Sequence, residues 1–567
     1  MVSTDKEHIV YLAKIAAAKG LKHIIISPGS RSAPLVIAFS RQEGIKTYTI
    51  VDERCAAFVA LGMAQQTNEL VGLICTSGSA VLNYAPAISE AYYQKIPLIV
   101  MTADRPNEAI DQGENQSINQ FEIYKNYIKK SFEMPLDAYD QRDLWYSVRI
   151  MNEAINTANS IQKGPVHINI PLREPLYELK EYTSFPAPKI IESIESEFQI
   201  NDKNWQSIID EWKQTKKKLI ILGTNKPSAA LKSILKKIEV RDDIVVFNEN
   251  TSNQNSEDFI QNIDAIIEYI SAHQNEHYIP ELVVTIGGGL ISKKLKFFLK
   301  NIKTLKHWHI SVLGEHWDNF QSLTKIIPLT PENLFDKLLE ENKSCTSDYH
   351  HHFNSLKNHI QSLNNVFFEN IPYSDFSVFK SILQNLPNEA ILFLGNSTPI
   401  RYSNLIPIEV NMNTQVYANR GVSGIDGVVS TSAGASMIQP DKLQICIVGD
   451  IGFFYDSNAW WNPYLKSNFK CVLINNQGGN IFKIIPGPDS LDELETCFET
   501  KHQMNAKNIA QQYEIDYFYI DTLENFSNVW REFIKTTSDR PALLEIKTPN
   551  NSDEVLRNYF EMLRNCL

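Results

Sequence analysis

The stretch Ile445-Cys446-Ile447-Val448-Gly449-Asp450, followed some 25 residues later by Asn475-Asn476-Gln477-Gly478-Gly479 at the end of a second apolar run, Cys471-Val472-Leu473-Ile474, decides the reading of the fold. Each run is short, apolar and β-branched, as expected of a strand buried on both faces of a parallel sheet, and each breaks into glycine and short polar residues. Two such neighbouring strands present Asp450 and Asn476 together at their carboxyl ends, the edge at which α/β sheets bind ligands. A carboxylate, an amide oxygen and the backbone carbonyl of Gly478 make a hard oxygen set suited to Mg²⁺; Mn²⁺ or Ca²⁺ would satisfy the same donors. The spacing alone also fits two turns that merely cap strands.

The same alternation extends outward in three blocks. Strands are expected over 23–27, 47–51, 71–76, 97–103 and 166–170, separated by helical patterns such as 54–67 and 81–94; residues 1–20 read as an amphipathic helix. Past Pro171 the chain turns irregular and charged, and Phe185-Pro186-Ala187-Pro188 reads as a linker. A second set of strands, at 219–223, 244–247, 282–286 and 309–312, fades into the polar segment 340–352. A third set lies at 391–394, 444–448, 471–474 and 543–547. The fold class is therefore α/β: three α/β domains with central, mostly parallel sheets, expected at 1–182, 190–342 and 353–567. A chain of 567 residues is also too long for one hydrophobic core.

Composition narrows the function. The formal net charge of −12 argues against nucleic acid as a partner, because phosphate binding needs a basic face. A few local Arg and Lys residues can still hold small anions. The seven cysteines are scattered and never form a C-x-x-C pair, which fits reduced thiols and a cytoplasmic protein rather than disulfides or zinc. The N-terminus lacks the layout of a signal peptide. No apolar run reaches the ~20 residues needed to span a bilayer, so no membrane insertion is expected.

A second carboxylate stands out in Ile50-Val51-Asp52-Glu53-Arg54-Cys55-Ala56-Ala57. Glu53 follows a strand and opens a small-residue helix, where an acidic side chain is ordinarily just a first-turn charge. Alongside the Asp450–Asn476 motif it takes on another meaning. The G-D…N-N pattern resembles the thiamine-diphosphate signature, although Ile451 stands where the usual G-D-G has its last glycine. Thiamine chemistry needs a glutamate against the aminopyrimidine ring to favour the tautomer that deprotonates the thiazolium carbon, while the carbanion chemistry belongs to the cofactor.

Longer strings sharpen the resemblance. Ser27-Pro28-Gly29-Ser30-Arg31-Ser32-Ala33-Pro34-Leu35, Asp52-Glu53-Arg54, Thr76-Ser77-Gly78-Ser79-Ala80, Thr102-Ala103-Asp104-Arg105-Pro106 and Asn115-Gln116 occur in order. Gly395-Asn396-Ser397 and Asn419-Arg420-Gly421-Val422-Ser423-Gly424-Ile425-Asp426-Gly427 precede the metal motif. Over its whole length the chain resembles the 2-succinyl-5-enolpyruvyl-6-hydroxy-3-cyclohexene-1-carboxylate synthases of menaquinone biosynthesis, within the thiamine-diphosphate enzyme superfamily. The resemblance implies an aminopyrimidine-binding first domain, a Rossmann-like central domain and a diphosphate- and Mg²⁺-binding last domain. It implies decarboxylation of 2-oxoglutarate and a Stetter-like 1,4-addition of the remaining carbanion to isochorismate. It also implies a homodimer or dimer of dimers, because the first domain of one subunit faces the last domain of another.

Residue roles follow from the resemblance in the same way. Glu53 is the expected catalytic carboxylate; Ser77, Gly78, Gly449, Asp450, Asn476 and Gly478 would contact the cofactor or its metal. Ile425 would wedge between the cofactor rings. Both substrates carry carboxylates, and Arg31, Arg105, Arg401 and Arg420 are the expected planar donors for them. Ser30, Gln116 and Ser397 are expected hydrogen-bonders. Lys293 and Lys294 follow Gly287-Gly288-Gly289; relatives often have Lys-Arg at that pair, so Lys294 keeps the charge and loses the bidentate fork. Taken singly, the basic residues could be surface ion-pair partners, Ser and Gln turn formers, and Ile425 a core residue.

Three other readings compete. An acetolactate-synthase-like carboligase shares the cofactor, but the arginine-rich motifs argue against a small uncharged acceptor. A dinucleotide-binding protein is suggested by Gly287-Gly288-Gly289 after a strand, yet that turn lacks the G-x-G-x-x-G spacing. A non-catalytic scaffold predicts loss of Glu53 or of a metal ligand, and both are present.

Overall fold

Three parallel sheets form the chain's framework, described in a computed structural model for all residues except 139, 197, 343–345, 410–411, 486, 537 and 567. The first runs in the order Lys46–Thr49, His23–Ile26, Val71–Cys75, Leu98–Asp104, Val166–Pro171 and Ser131–Glu133. The second runs Ile244–Asn248, Lys218–Leu222, Leu282–Ile286, Lys306–Ile310 and Leu323–Ile327. The third runs Gln415–Tyr417, Ile391–Leu394, Gln444–Gly449, Phe469–Asn475, Ala542–Lys547 and Asp516–Ile520. The first and third sheets therefore share one strand order, although their sequences show no obvious repeat. The expected α/β class with mostly parallel sheets holds, and the one antiparallel pairing described lies outside these sheets.

The central strands of each sheet are buried along their length, which is why the sequence marks them as unbroken apolar runs. Edge strands are harder to read. Ser131–Glu133, Leu323–Ile327, Gln415–Tyr417 and Asp516–Ile520 are only partly buried, carry polar residues and escape the apolar-run criterion. Two expectations need correction. Val2–Thr4 is a strand paired with Leu179–Glu181, and the N-terminal helix begins at Glu7. The helix expected over 81–94 divides into Ser79–Asn83 and Ala85–Gln94, with Pro86 in the first turn of the second. At the division the buried Tyr84 hydroxyl donates to the Ile74 carbonyl at 2.9 Å. In the polar segment 340–352, residues 343–345, with Cys345, lie outside the described residues; the Tyr349–Glu369 helix starts within that segment.

What fixes the first sheet against the third is a crossing of two helices, Glu53–Thr67 and Val428–Ile438. A β-carbon on Gly62 would fall 1.9 Å from the Thr431 carbonyl oxygen, and one on Gly434 would fall 2.1 Å from that of Val59. The helices touch backbone to backbone, and only glycine permits it. Asp456 caps this crossing, accepting from the Ser430 amide and hydroxyl at 2.7 Å each. Overpacking a close-packed site typically costs about 1–3 kcal/mol. Gly62→Ala should therefore lower the thermal unfolding midpoint by several degrees while an Ala at the unhindered Gly44 leaves it nearly unchanged, as differential scanning calorimetry would show.

Candidate active site

In sheets of this order the chain leaves in opposite directions from the first and third strands, and the crevice between them is where ligands bind. In the first sheet these strands are His23–Ile26 and Val71–Cys75, and the loops that leave them carry Ser30, Arg31, Ser77 and Gly78. In the third sheet they are Ile391–Leu394 and Gln444–Gly449, whose ends carry Ser397, Arg401, Gly449 and Asp450. Glu53 and Ile425 each follow the second strand of their sheet. The duplicated topology thus gathers most of the expected residues at two equivalent crevices.

At the first crevice, Ser30, Arg31, Arg105 and Gln116 line one cavity of about 620 Å³ together with Glu174 and Tyr177. Arg31 is buried; it donates to the Leu172 carbonyl at 3.0 Å and to the Glu174 carboxylate at 3.1 Å. Burial and the neighbouring Arg105 lower its pKa, while Glu174 opposes them. Two desolvated guanidinium groups facing one cavity favour an anionic occupant. Gly78 has φ +82°, and a β-carbon there would press on the Gln116 backbone at 3.2 Å, so glycine is needed where these loops meet. The Ser77 hydroxyl is buried without a partner. Glu53 heads its helix behind the Asp52 cap and receives a 3.5 Å contact from Asn83 Nδ2.

At the second crevice Asp450 is buried and accepts from the Ile451 amide at 2.7 Å and the Gly478 amide at 2.9 Å. His502 Nε2 lies 3.3 Å from the same carboxylate. Asn476 donates through Nδ2 to Asp375 at 2.6 Å, while its Oδ1 is buried and accepts nothing. The Gly478 carbonyl accepts only from the nearby Asn480 amide, at 3.0 Å. A β-carbon on Gly449 would meet nothing, so this glycine borders open space beside Asp450. A carboxylate, an orphaned amide oxygen and an accessible carbonyl fit an oxygen-coordinated divalent cation.

The loop carrying Arg420 and Ile425 is held from two sides. Asn396 donates to the Asn419 and Gly424 carbonyls at 2.7 and 2.6 Å and accepts from Arg420 at 2.8 Å. Glu90, on a helix of the first sheet, accepts from the Gly421 and Val422 amides at 2.6 and 2.7 Å. Burial raises the pKa of Glu90, and those backbone donors counter it. Arg401 donates to the Ser397 carbonyl at 2.5 Å. Burial lowers the pKa of both Arg401 and Arg420, and Arg420 lowers that of Arg401 further, so the two cations are neighbours. Ser397 itself holds φ +75°, the left-handed region, at the head of the Thr398–Ser403 helix.

The two lysines diverge. Lys293 is exposed and lies within electrostatic reach of Lys296, which also senses Arg420. Lys294 is turned to Glu268 and stands 4.1 Å over the Phe560 ring. Sequence reasoning did not single out Lys296, Glu90, Asn396, Asp375 or Glu249. Glu249 is fully buried and bridges the second and third sheets: it accepts from the Ile291 and Ser292 amides and from Asn404 at 3.3 Å. The Gly287-Gly288-Gly289 turn is spent on packing, since a β-carbon on Gly223 would lie 2.2 Å from the Gly288 carbonyl oxygen. Among the described residues, no hydrogen bond or ion pair joins Glu53, Ser30, Arg31, Arg105 or Gln116 to Asp450, Asn476 or Gly478.

Comparison with known proteins agrees with this geometry. Residues 9–123 match the thiamine pyrophosphate enzyme N-terminal TPP binding domain, and residues 403–546 match the C-terminal TPP binding domain. The chain is 40% identical to the 2-succinyl-5-enolpyruvyl-6-hydroxy-3-cyclohexene-1-carboxylate synthase of Flavobacterium johnsoniae, over 97% of this chain and 98% of that protein. The like-named protein of Christiangramia forsetii is 39% identical over 97% of each chain. That of Bacteroides fragilis is 32% identical over 99% of this chain and 100% of its own.

Burial raises Glu249 from 4.5 to about 7. A carboxyl that binds its proton more tightly when folded stabilises the fold at low pH, and that contribution is lost as pH rises from about 4.5 through about 7. Glu249→Gln should flatten this loss; the Asn404 Oδ1, buried without a partner, can accept from the new amide. Thermal melts of both proteins at pH 5 and pH 7 would check it: the gap between the two pH values should shrink in the variant.

Proposed function

Because the chain belongs to the 2-succinyl-5-enolpyruvyl-6-hydroxy-3-cyclohexene-1-carboxylate synthase family of thiamine-diphosphate enzymes, we propose that it couples 2-oxoglutarate to isochorismate in menaquinone biosynthesis. CO₂ is released, and the remaining four-carbon unit adds 1,4 to isochorismate to give the compound of the family name. The observation that carries this reading is the cavity in which Ser30, Arg31, Arg105 and Gln116 converge. Its paired guanidinium groups suit dicarboxylate substrates and would be poorly matched to a small neutral acceptor.

Thiamine diphosphate, when bound, supplies the carbanion chemistry. Asp450, Asn476 and the Gly478 carbonyl would hold Mg²⁺ and through it the diphosphate, with Gly449 leaving room beside them. Glu53 would hydrogen-bond the aminopyrimidine, Ser77 and Gly78 would border it, and Ile425 would hold the two rings at their working angle. Arg401 and Arg420, with Lys293 and Ser397, would grip substrate carboxylates from the opposite wall. Lys294, engaged by Glu268, is assigned a lesser part.

We assign residues 1–182, 190–342 and 353–567 to the aminopyrimidine, central and diphosphate domains. The two halves of the site belong to different subunits in this reading, which makes the active species a homodimer or a dimer of dimers. Support comes from exposed apolar side chains beside both halves: Val51 and Leu82 near Glu53 and Asn83, Ile425, Tyr455 and Trp461 near Asp450. The described cysteines are all unpaired, in keeping with a reducing, cytoplasmic setting. No described helix is long and apolar enough to cross a membrane.

With thiamine diphosphate and Mg²⁺, isochorismate-dependent consumption of 2-oxoglutarate would support the assignment, and turnover of pyruvate in its place would move the protein to another carboligase. Glu53→Gln should retain cofactor binding by calorimetry yet lose CO₂ release by at least ~100-fold, the scale of a lost proton-transfer partner. Arg420→Ala should cost ~10-fold or more in kcat/KM for at least one dicarboxylate substrate and leave cofactor affinity within a factor of a few, because only the substrate side loses a charge-assisted contact.

A further inference from the structure

Asn476 is an amide with two nearly isosteric ends, and only one of them can face a cation. Rotation by half a turn about its last side-chain bond would exchange an oxygen ligand for an N–H donor. In the structure Nδ2 is taken by Asp375 at 2.6 Å and Oδ1 is left buried and unpartnered. Asp375 is fully buried at the first turn of the Asp375–Gln384 helix, itself held by a reciprocal Ser374–Ser377 capping box. Its remaining lone pairs accept from the hydroxyls of Thr548 and, at 2.9 Å, Ser552. An ionised carboxylate accepts and never donates, so it can bind only the nitrogen end of the amide.

We propose that Asp375 is a positioning residue that keys the Asn476 amide, so that its oxygen always faces the metal. This rests on the reading of Asn476 as a metal ligand. The arrangement also explains why a carboxylate without a counter-cation is tolerated there. Asp375 and Asp450 repel each other in a buried setting, and a divalent ion ligated between Asp450 and the keyed amide balances both charges. Thr548 and Ser552 hold Asp375 from the C-terminal end of the chain. Their segment is tied to the metal loop through the Thr548 amide and the Asn475 carbonyl, 3.0 Å apart.

The test is Mn²⁺ binding to the full-length protein with thiamine diphosphate, followed by electron paramagnetic resonance of the free ion. Asp375→Asn lets the amide pair choose either orientation and removes one charge; the Mn²⁺ dissociation constant should rise by roughly 10–100-fold, the usual cost of losing an outer-shell partner of a ligand. The exchanged pair, Asp375→Asn with Asn476→Asp, restores a donor facing an acceptor and should recover at least ~10-fold of that loss. A helix-capping role alone would not be rescued by a change at position 476. Unchanged Mn²⁺ affinity in folded Asp375→Asn, or no recovery in the exchanged pair, overturns the proposal. Asn476→Ala separates the two ideas: if it too binds Mn²⁺ normally, the ligand assignment fails; if it binds weakly while Asp375→Asn does not, only the keying fails. Should Asp375→Asn not fold, the exchanged pair decides the matter against the wild type.

Discussion

Two helices that cross with no side chain between them hold this molecule in its working form. Because Gly62 and Gly434 place the Glu53–Thr67 and Val428–Ile438 backbones in direct contact, the first and third sheets have essentially one way to sit against each other. The contact is extended by polar groups that reach across it. Arg54 donates to the Tyr455 carbonyl at 3.0 Å, Asn458 donates to Asp52 at 2.8 Å, and the Thr49 amide donates to the Tyr464 hydroxyl at 2.9 Å. Glu53 is the first residue of one of the crossing helices. Its position is therefore set by the packing of two domains and not by its own loop.

On this frame the charges are sorted by sign. Carboxylates collect at the carboxyl ends of the third sheet, where Asp450 and Asp375 are buried, and guanidinium groups collect in two other places: Arg31 with Arg105, and Arg401 with Arg420. The net charge of the chain is negative, so these basic pairs are local and built. Each is held by backbone carbonyls, those of Leu172 and Ser397, or by a neutral amide, Asn396, and only Arg31 also meets an acid, the exposed Glu174. Partners of that kind fix a guanidinium without neutralising it, which leaves its charge available to a ligand.

How far the sequence announces this arrangement differs from one part to another. The interior strands were legible, because burial on both faces leaves an unmistakable apolar signature. The edge strands were not, since a strand such as Gln415–Tyr417 is specified by its neighbour's backbone more than by its own side chains. Residues in the loops beyond strands, such as Arg31, Ser77 and Asp450, could be read from their strings. Glu90, Asn396 and Asp375 could not be read in this way: each acts by holding another residue's backbone or amide, and nothing local distinguishes a buried glutamate on a helix from a solvated one. Their partners lie tens to hundreds of residues away, as with Glu90 and Gly421. Lys294 shows the opposite case, a residue conspicuous in sequence that the fold turns toward Glu268.

The grip of Glu90 on the Arg420 loop has an evolutionary side. It acts on main-chain amides, so it places no demand on the identity of residue 422, whose side chain stands free in solvent. The loop can drift in sequence at such positions without losing its anchor, whereas the helix that supplies the carboxylate cannot. Heritable variation in substrate preference then has a permitted direction: it can accumulate on the tip of the loop, with its register preserved by a different domain. Exchange of whole domains between relatives would break this division of labour unless both ends of the anchor travelled together.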